Sequence, residues 1–128
     1  LNCAKQKAMT QYSFLYLDEN RLNEQSLNDQ YMREQMVDSF LLHFPEIISR
    51  VEKALQKKDG GSLARSIHSL KASLGLFGVD ALQSQAARVE VVASAIHTNE
   101  TLLEAHLTIA KAKALVKEVE VLKEQSKK

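Results

Sequence analysis

The sequence predicts an all-α protein, an antiparallel up-and-down four-helix bundle with one or two extra helices on its N-terminal side. Three observations indicate this fold class. Apolar residues recur at spacings of three and four along most of the chain, which is the period of an amphipathic helix. The 128 residues include only one proline and four glycines. No segment is typical of a strand, and long periodic segments joined by short loops pack as antiparallel bundles.

The N-terminal part of the chain predicts a short helix followed by a long one. Residues 1–17 are expected to form a loosely held arm, and residues 18–126 a single domain, because a chain of this length buries one core. Residues 18–25 predict a short lead-in helix. From Leu27 onward, the apolar residues of the first long helix recur at helical spacing; they are Tyr31, Met32, Met36, Phe40, Leu41 and Phe44.

Pro45 follows this apolar pattern and leaves two alternatives open. Proline is tolerated in the first turn of a helix and kinks a helix elsewhere, so Pro45 either begins a new helix or lies within a continuous one. The helix is expected to end in residues 57–61, Lys-Lys-Asp-Gly-Gly, where basic side chains favour a C-terminus and glycine permits a left-handed exit. Its inward residues beyond Pro45 are Ile47, Ile48, Val51 and Leu55.

The next two helices are predicted to form a hairpin. Ser62 is a plausible N-cap for the first of them. Gly78 is expected to break that helix, and Asp80 to lie at the start of its successor. The apolar residues of the first helix step by 4, 3, 4 and 3: Leu63, Ile67, Leu70, Leu74 and Phe77. Those of the second helix are Leu82, Ala86, Val89, Ala93 and Ile96.

The last helix is predicted to begin near Thr98 and Asn99. Thr101 and Glu104 have the spacing of a capping box, in which two side chains satisfy free backbone N–H groups. The residues expected to face inward are Leu103, Leu107, Ala110, Ala114 and Val121.

Composition and charge argue against several classes of function. Seventeen basic and sixteen acidic residues leave a net charge of +1, which provides no strong field for nucleic acid or an anionic membrane. No apolar run approaches the roughly 18 residues of a membrane span. A lone cysteine, Cys3, cannot form an internal disulfide, so the cytoplasm is the expected location. A protein partner is therefore expected, with no nucleic acid and no membrane contact.

His68 is the candidate reactive residue. At 100° per residue it lies about 140° from the centre of the apolar stripe, so its imidazole is expected to face solvent. A neutral imidazole is nucleophilic and is the dominant form at cytoplasmic pH. Small side chains around it would let another protein approach the ring. The predicted docking residues are Ala64, Arg65, Ala72, Gly75 and Gly78.

Two charged residues are placed to assist His68. Lys71 lies one turn away on the same helix and would neutralise a phosphoryl group on the ring. Glu90 lies twelve residues after Gly78, and His68 lies ten residues before it. With two residues allowed for the turn, the hairpin is expected to bring the two side chains level. A carboxylate there would accept a hydrogen bond from one ring nitrogen and leave the other as the nucleophile.

The residues around His68 resemble the signature of histidine-containing phosphotransfer domains. Residues 68–73, His-Ser-Leu-Lys-Ala-Ser, followed by Gly78 and Leu82, are similar to the family pattern His-x-Leu-Lys-Gly-Ser…Gly…Leu, with alanine at the usual glycine. Residues 40–51 are similar to the segment that precedes this pattern in the family. Residues 89–90, Val-Glu, stand at its Leu-Glu position, and the resemblance begins at about residue 27.

The resemblance implies a phosphorelay carrier. His68 would accept a phosphoryl group from an aspartate of one receiver domain and return it to another. Lys71 would steady that group, Glu90 would orient the histidine, and Ser73 is a further candidate for contributing. The expected partners are receiver domains of response regulators or of a hybrid sensor kinase, and the expected cytoplasmic location includes the cytoplasmic part of such a membrane-bound kinase. They would bring Mg²⁺, so the carrier needs no cofactor; it is expected to be a monomer and not an enzyme.

Two other functions stay open at this stage. One is the dimerisation domain of a histidine kinase, although Ser69 replaces the acidic residue expected after the histidine and no proline follows. The other is an adaptor bundle in which His68 is incidental, which would bind its partner without phosphoryl transfer. His43, His97 and His106 lack comparable small neighbours and are assigned no chemistry, and no bundle metal site is predicted.

Overall fold

The computed structural model describes residues 14–77 and 79–126, and their regular elements are all helical. The helices are α1 (Glu19–Gln25), α2 (Gln30–Lys57), α3 (Gly60–Leu74), α4 (Asp80–Val92) and α5 (Asn99–Ser126). Short 3-10 turns at Gly75–Phe77 and Ala93–Ala95 continue α3 and α4. The predicted all-α class is confirmed. Among the described helices, none is long and apolar enough to cross a membrane.

Helices α2 to α5 form an antiparallel bundle. Each packs against the next, and α5 closes the bundle against α2, so that α3 and α5 lie diagonally opposite. Along α2 and α5 the ion pairs run in opposite order: Asp38 pairs with Lys123 at 2.9 Å, and Glu52 with Lys113 at 2.8 Å. The up-and-down bundle is thus confirmed, with α1 as the one extra helix in the described chain.

Helix α2 is continuous through Pro45, which decides between the two alternatives. Pro45 is exposed, and the helix continues to Lys57. Phe40 stacks on Phe44 with ring centroids 4.4 Å apart and meets Phe77 at 4.5 Å. This aromatic cluster joins α2 to the end of α3, and thereby holds the two helices together near the turn into α4.

The start of α3 differs from the prediction in two respects. The N-cap is Asp59, whose Oδ1 accepts the N–H of Ser62 at 3.1 Å; Ser62 lies inside the helix. The left-handed exit from α2 falls on Lys58, with φ 53°, and not on a glycine. Gly60 instead lets the start of α3 lie close to Ala93, since a Cβ on Gly60 would lie 2.7 Å from the carbonyl oxygen of Ala93.

The inward faces of α3 and α4 agree with the predicted spacing. Leu63, Ile67, Leu70, Leu74 and Phe77 have no exposed surface. Leu82, Ala86, Val89, Ala93 and Ile96 are also buried. Asp80 lies in the first turn of α4, as predicted. The rotation of α3 about its axis is therefore the one that the apolar stripe indicated.

The predicted inward face of α5 was wrong. Leu103, Leu107 and Val121 are exposed, Ala110 is exposed, and Ala114 is half-buried. The buried residues are Thr101, Ala105, Thr108, Ile109, Ala112, Leu115, Val119 and Leu122. Apolar residues lie on more than one side of this helix, so their spacing alone does not select one inward face.

The predicted capping box of α5 was also wrong. Thr98 precedes the helix, and its Oγ1 accepts the N–H of Thr101 at 3.3 Å. Glu104 instead accepts a hydrogen bond from Arg88 Nε of α4 at 3.3 Å. The start at Asn99 agrees with the prediction.

The segment before α1 is attached to the bundle. The carboxylate of Glu118 on α5 accepts the backbone N–H groups of Leu15, Tyr16 and Leu17 at 2.7, 3.0 and 2.9 Å. Leu17 is buried. Residues 14–17 are therefore not the loosely held arm that we expected, because three charge-assisted hydrogen bonds hold them. Residues 1–13 of that arm lie outside the described residues.

Candidate functional site

His68 lies on the outer face of α3 with its side chain 65% exposed, as the stripe of that helix predicted. Exposure alone does not distinguish it, since His43, His97 and His106 are exposed too. Within the part of the chain that the structure describes, His68 is the one histidine that contacts a carboxylate. That contact makes His68 the centre of the site.

Glu90 bridges His68 and Lys71. Its Oε2 lies 2.9 Å from Nδ1 of His68, and its Oε1 accepts a hydrogen bond from Nζ of Lys71 at 2.7 Å. His68 and Lys71 lie one turn apart on α3, and Glu90 reaches both from α4. The level placement predicted from the hairpin is confirmed, and one carboxylate joins all three side chains.

The charged groups around Glu90 keep it ionised, and this determines which nitrogen of neutral His68 carries the proton. The hydrogen bond from Lys71, and next that from His68, lower the pKa of Glu90 despite its partial burial. Glu90 is therefore ionised at neutral pH, and a carboxylate only accepts hydrogen bonds. In neutral His68 the proton must lie on Nδ1, which leaves the lone pair on Nε2.

The predicted docking residues surround the imidazole. Arg65 and Ala72 are exposed, and Ala64 and Gly75 are half-buried, at positions one or two turns from His68. Gly78, the fifth predicted docking residue, lies outside the described residues. The short side chains on this face leave the exposed edge of the ring open to approach.

Ser73 is not in contact with His68. Its Oγ donates to the carbonyl oxygen of Ser69 at 3.3 Å, one turn earlier in the same helix, and the residue is half-buried. The structure thus brings together His68, Lys71 and Glu90, and engages the Ser73 hydroxyl with the helix backbone.

Gln83 was missed by the sequence analysis. Its Nε2 donates to the carbonyl oxygen of Lys71 at 3.1 Å, and it lies 3.4 Å from where a Cβ on Gly75 would be. It therefore ties α4 to the part of α3 that carries Lys71. The sequence feature that could have identified Gln83 is its spacing, since it precedes Glu90 by seven residues and lies on the same face of α4.

Comparisons with known proteins agree with this architecture. The family model of the Hpt domain matches residues 35–125. The crystal structure of histidine-containing phosphotransfer protein B (HptB) from Pseudomonas aeruginosa PAO1 superposes with a TM-score of 0.66, at 20% sequence identity, over 91% of this chain and 99% of that one. At that identity the likeness establishes the fold. No curated protein sequence matches the chain.

The family match covers most of the chain and every candidate site residue from Ala64 to Glu90. It confirms the resemblance stated from residues 68–73. The chain therefore belongs to the Hpt domain family, and its role is that of a phosphotransfer carrier in a phosphorelay.

Proposed function

We propose that His68 accepts a phosphoryl group from the aspartyl phosphate of one receiver domain and passes it to an aspartate of another. The observation that carries this proposal is the contact between Nδ1 of His68 and Glu90 at 2.9 Å, on a side chain that is 65% exposed. A surface imidazole held by one nitrogen presents the other to an incoming protein in a defined tautomer.

The chemistry of the transfer follows from that tautomer. The lone pair of Nε2 attacks phosphorus, the P–N bond forms, and the bond from phosphorus to the aspartyl oxygen breaks with its electron pair leaving on the carboxylate. Nε2 carries no proton, so none has to be removed. The ring gains positive charge as the bond forms, and ionised Glu90 stabilises that charge through the proton on Nδ1.

Lys71 has a second role in this proposal. Its ammonium is bound to Glu90 and lies one turn from His68 on the same face. A flexible cation in that position is able to turn toward the phosphoryl oxygens without a fixed geometry. We assign docking to the small face formed by Ala64, Ala72 and Gly75, and no direct part to Ser73 beyond its bond to the helix backbone.

The partner supplies the remaining machinery. The receiver domain brings the aspartate and Mg²⁺, so this chain works as a carrier without a cofactor or a kinase site of its own. We place the exchange in the cytoplasm and propose that the chain acts as a monomer that docks transiently on each receiver domain. The receivers belong to response regulators or to a hybrid sensor kinase.

Intact-mass analysis tests the assignment of His68. The wild type and His68→Gln are incubated with phosphorylated receiver domains and Mg²⁺, and His106→Gln serves as a control that removes another exposed histidine. We expect a gain of about 80 Da in the wild type and in His106→Gln, absent from His68→Gln. The added mass should be labile in acid, as expected for a phosphoramidate.

Each alternative has its own outcome. If receivers bind the wild type but none labels it, the chain acts as an adaptor. If His68→Gln is labelled as well as the wild type, the phosphoryl group goes elsewhere and the assignment of His68 is wrong. A stable dimer in solution would favour the histidine-kinase dimerisation alternative.

A further inference from the structure

A cleft of about 420 Å³ lies between α2 and α3, beside His68. We call it the basic cleft; its charged lining residues are Arg50, Lys53, Lys57, Asp59 and Arg65. Ser69, the residue next to His68, also lines it. Arg65 precedes His68 by three residues, about 4.5 Å along the helix axis. The cleft therefore begins at the edge of the proposed docking face, on the side away from Glu90.

The lining of the basic cleft has a higher net positive charge than the chain as a whole. Its lining has four cationic side chains and one carboxylate, whereas the whole chain has a net charge of only +1. Arg50, Lys53 and Lys57 follow at spacings of three and four residues, so their side chains form one stripe along α2. Like charges at this spacing destabilise a helix.

No carboxylate of the described residues neutralises that stripe. Arg50, Lys53 and Lys57 are exposed and form no ion pair with any part of residues 14–77 and 79–126. Other cations of the described chain are paired, as Lys113 is with Glu52 and Lys123 with Asp38, whereas Lys58 and Lys117 are also without an ion pair but do not line the basic cleft. Asp59 is engaged as the N-cap of α3 and binds both the N–H and the hydroxyl of Ser62.

The helix macrodipole does not account for the stripe. A cation in the last turn of α2 is stabilised by the negative end of that helix, and this explains Lys57. The effect is confined to the last turn, so it does not explain Arg50. Arg65 lies in the N-terminal half of α3, where the dipole gives a cation no advantage.

We infer that the basic cleft binds an acidic surface segment of the receiver domain that docks on His68. This inference rests on the proposed function and adds the partner's chemistry. The receiver domain presents an anion, its aspartyl phosphate, to the imidazole of His68. Carboxylates beside that aspartyl phosphate would contact Arg50, Lys53 and Lys57. Exposed charges at the rim of an interface steer association and select among partners. Four cations within one cleft contact too few phosphates to favour nucleic acid as the ligand.

The experiment compares two charge-matched variants of the full chain. The cleft variant carries Arg50→Gln, Lys53→Gln and Lys57→Gln. The control variant carries Lys113→Gln, Lys117→Gln and Lys123→Gln on α5, diagonally opposite the helix of His68. The probe is the receiver domain that labels His68, and its Kd is measured by titration calorimetry at about 50 and 200 mM salt. Labelling of His68 by the small donor phosphoramidate reports the chemistry without docking.

We expect the cleft variant to bind the receiver domain about tenfold more weakly at low salt, with a smaller salt dependence than the wild type. The control variant should bind within about twofold of the wild type. Phosphoramidate should label all three proteins equally. Circular dichroism should show equal helicity, since the substituted side chains of the cleft variant are exposed.

Four results would overturn the inference. Equal Kd values for cleft variant and wild type, while His68 is still labelled, would remove the inference and leave the proposed function standing. Loss of phosphoramidate labelling in the cleft variant would mean that the cleft acts on the chemistry and not on docking. Tighter binding of a short oligonucleotide than of the receiver domain at 200 mM salt, about the physiological value, would reassign the cleft to nucleic acid. If no receiver domain labels the wild type, the proposed function and this inference both fail.

Discussion

The two faces of α3 differ in what their side chains contribute. The inner face carries Leu63, Ile67 and Leu70, which have no exposed surface. The outer face carries His68, 65% exposed, among small residues such as Ala72. Burying a leucine or isoleucine side chain contributes roughly 1.5–3 kcal/mol, whereas the exposed side chain of His68 contributes little of this kind. One helix thus separates the residues that stabilise the bundle from the residues proposed to react.

This separation follows from the rotation of a single helix. Because the core holds α3 by one stripe, the opposite side is free to vary without cost to packing. The hydrogen bond between His68 and Glu90 orients the imidazole. A partly exposed pair of this kind contributes little to the free energy of unfolding. Substitutions on the two faces should therefore have separate effects on stability and on transfer.

Leu70→Ala on the inner face should lower the free energy of unfolding by about 3 kcal/mol, since it removes a fully buried side chain and leaves a cavity. Urea unfolding would show a lower midpoint with an unchanged slope. His68→Gln is the matched change on the outer face of the same helix and should stay within about 0.5 kcal/mol of the wild type. Equal losses in the two variants would contradict the separation.

Gly60→Ala and Gly61→Ala compare the two faces within the first turn of α3. A Cβ on Gly60 would lie 2.7 Å from the carbonyl oxygen of Ala93, so this change should destabilise the protein by about 2 kcal/mol. On Gly61 the nearest atoms would lie at 3.5 and 3.6 Å, so alanine should be neutral or stabilise by about 0.5 kcal/mol. Thermal unfolding distinguishes them, and destabilisation by Gly61→Ala would show that its face is also packed.

Lys71→Gln should slow phosphoryl transfer to His68 about fivefold, because a partly exposed cation stabilises the transferred group by roughly 1 kcal/mol. Stability should change by less than about 0.5 kcal/mol. Rapid-quench measurement of the labelled fraction gives the rate, and Lys117→Gln is the control on a distant helix. An unchanged rate would assign Lys71 to holding Glu90 alone.

Glu90→Gln should change stability in a pH-dependent way. Lys71 and His68 lower the pKa of Glu90 in the folded protein. The stabilisation is therefore complete above the unfolded pKa, about 4.3, and is lost as pH falls through the lower folded pKa. We expect the wild type to exceed Glu90→Gln by about 0.5 kcal/mol at neutral pH and to converge with it in acid. A difference that is independent of pH between about 7 and 3 would contradict this linkage.

The helices of the bundle were predictable to different degrees, and α3 and α5 show why. In α3 the large apolar residues Leu63, Ile67 and Leu70 occupy one side only, so the pattern has a single solution. In α5 apolar residues occur on several sides, and Leu103 is exposed while Ala105 is fully buried. The transfer free energy of a small side chain is low, so hydrophobicity alone does not predict which face of α5 is buried.

The site itself was predictable where counting along a hairpin suffices. His68 and Glu90 are equidistant from the turn, and they are in contact. Gln83 and the caps Asp59 and Thr98 were not found, because several polar residues near each helix start are equally able to accept a backbone N–H. The basic cleft was not found either, since it requires Arg65 of α3 to face α2.

The all-α class, the hairpin of α3 and α4, and the exposed face on which His68 lies follow from the sequence, because they depend on the local spacing of apolar residues and on the residues of the turns. Which face of α5 is buried, and how α4 is rotated against α3, depends on how the helices pack. That rotation places one carboxylate, Glu90, within hydrogen-bond distance of both His68 and Lys71. Such contacts depend on the packing of neighbouring helices, which no single helix encodes.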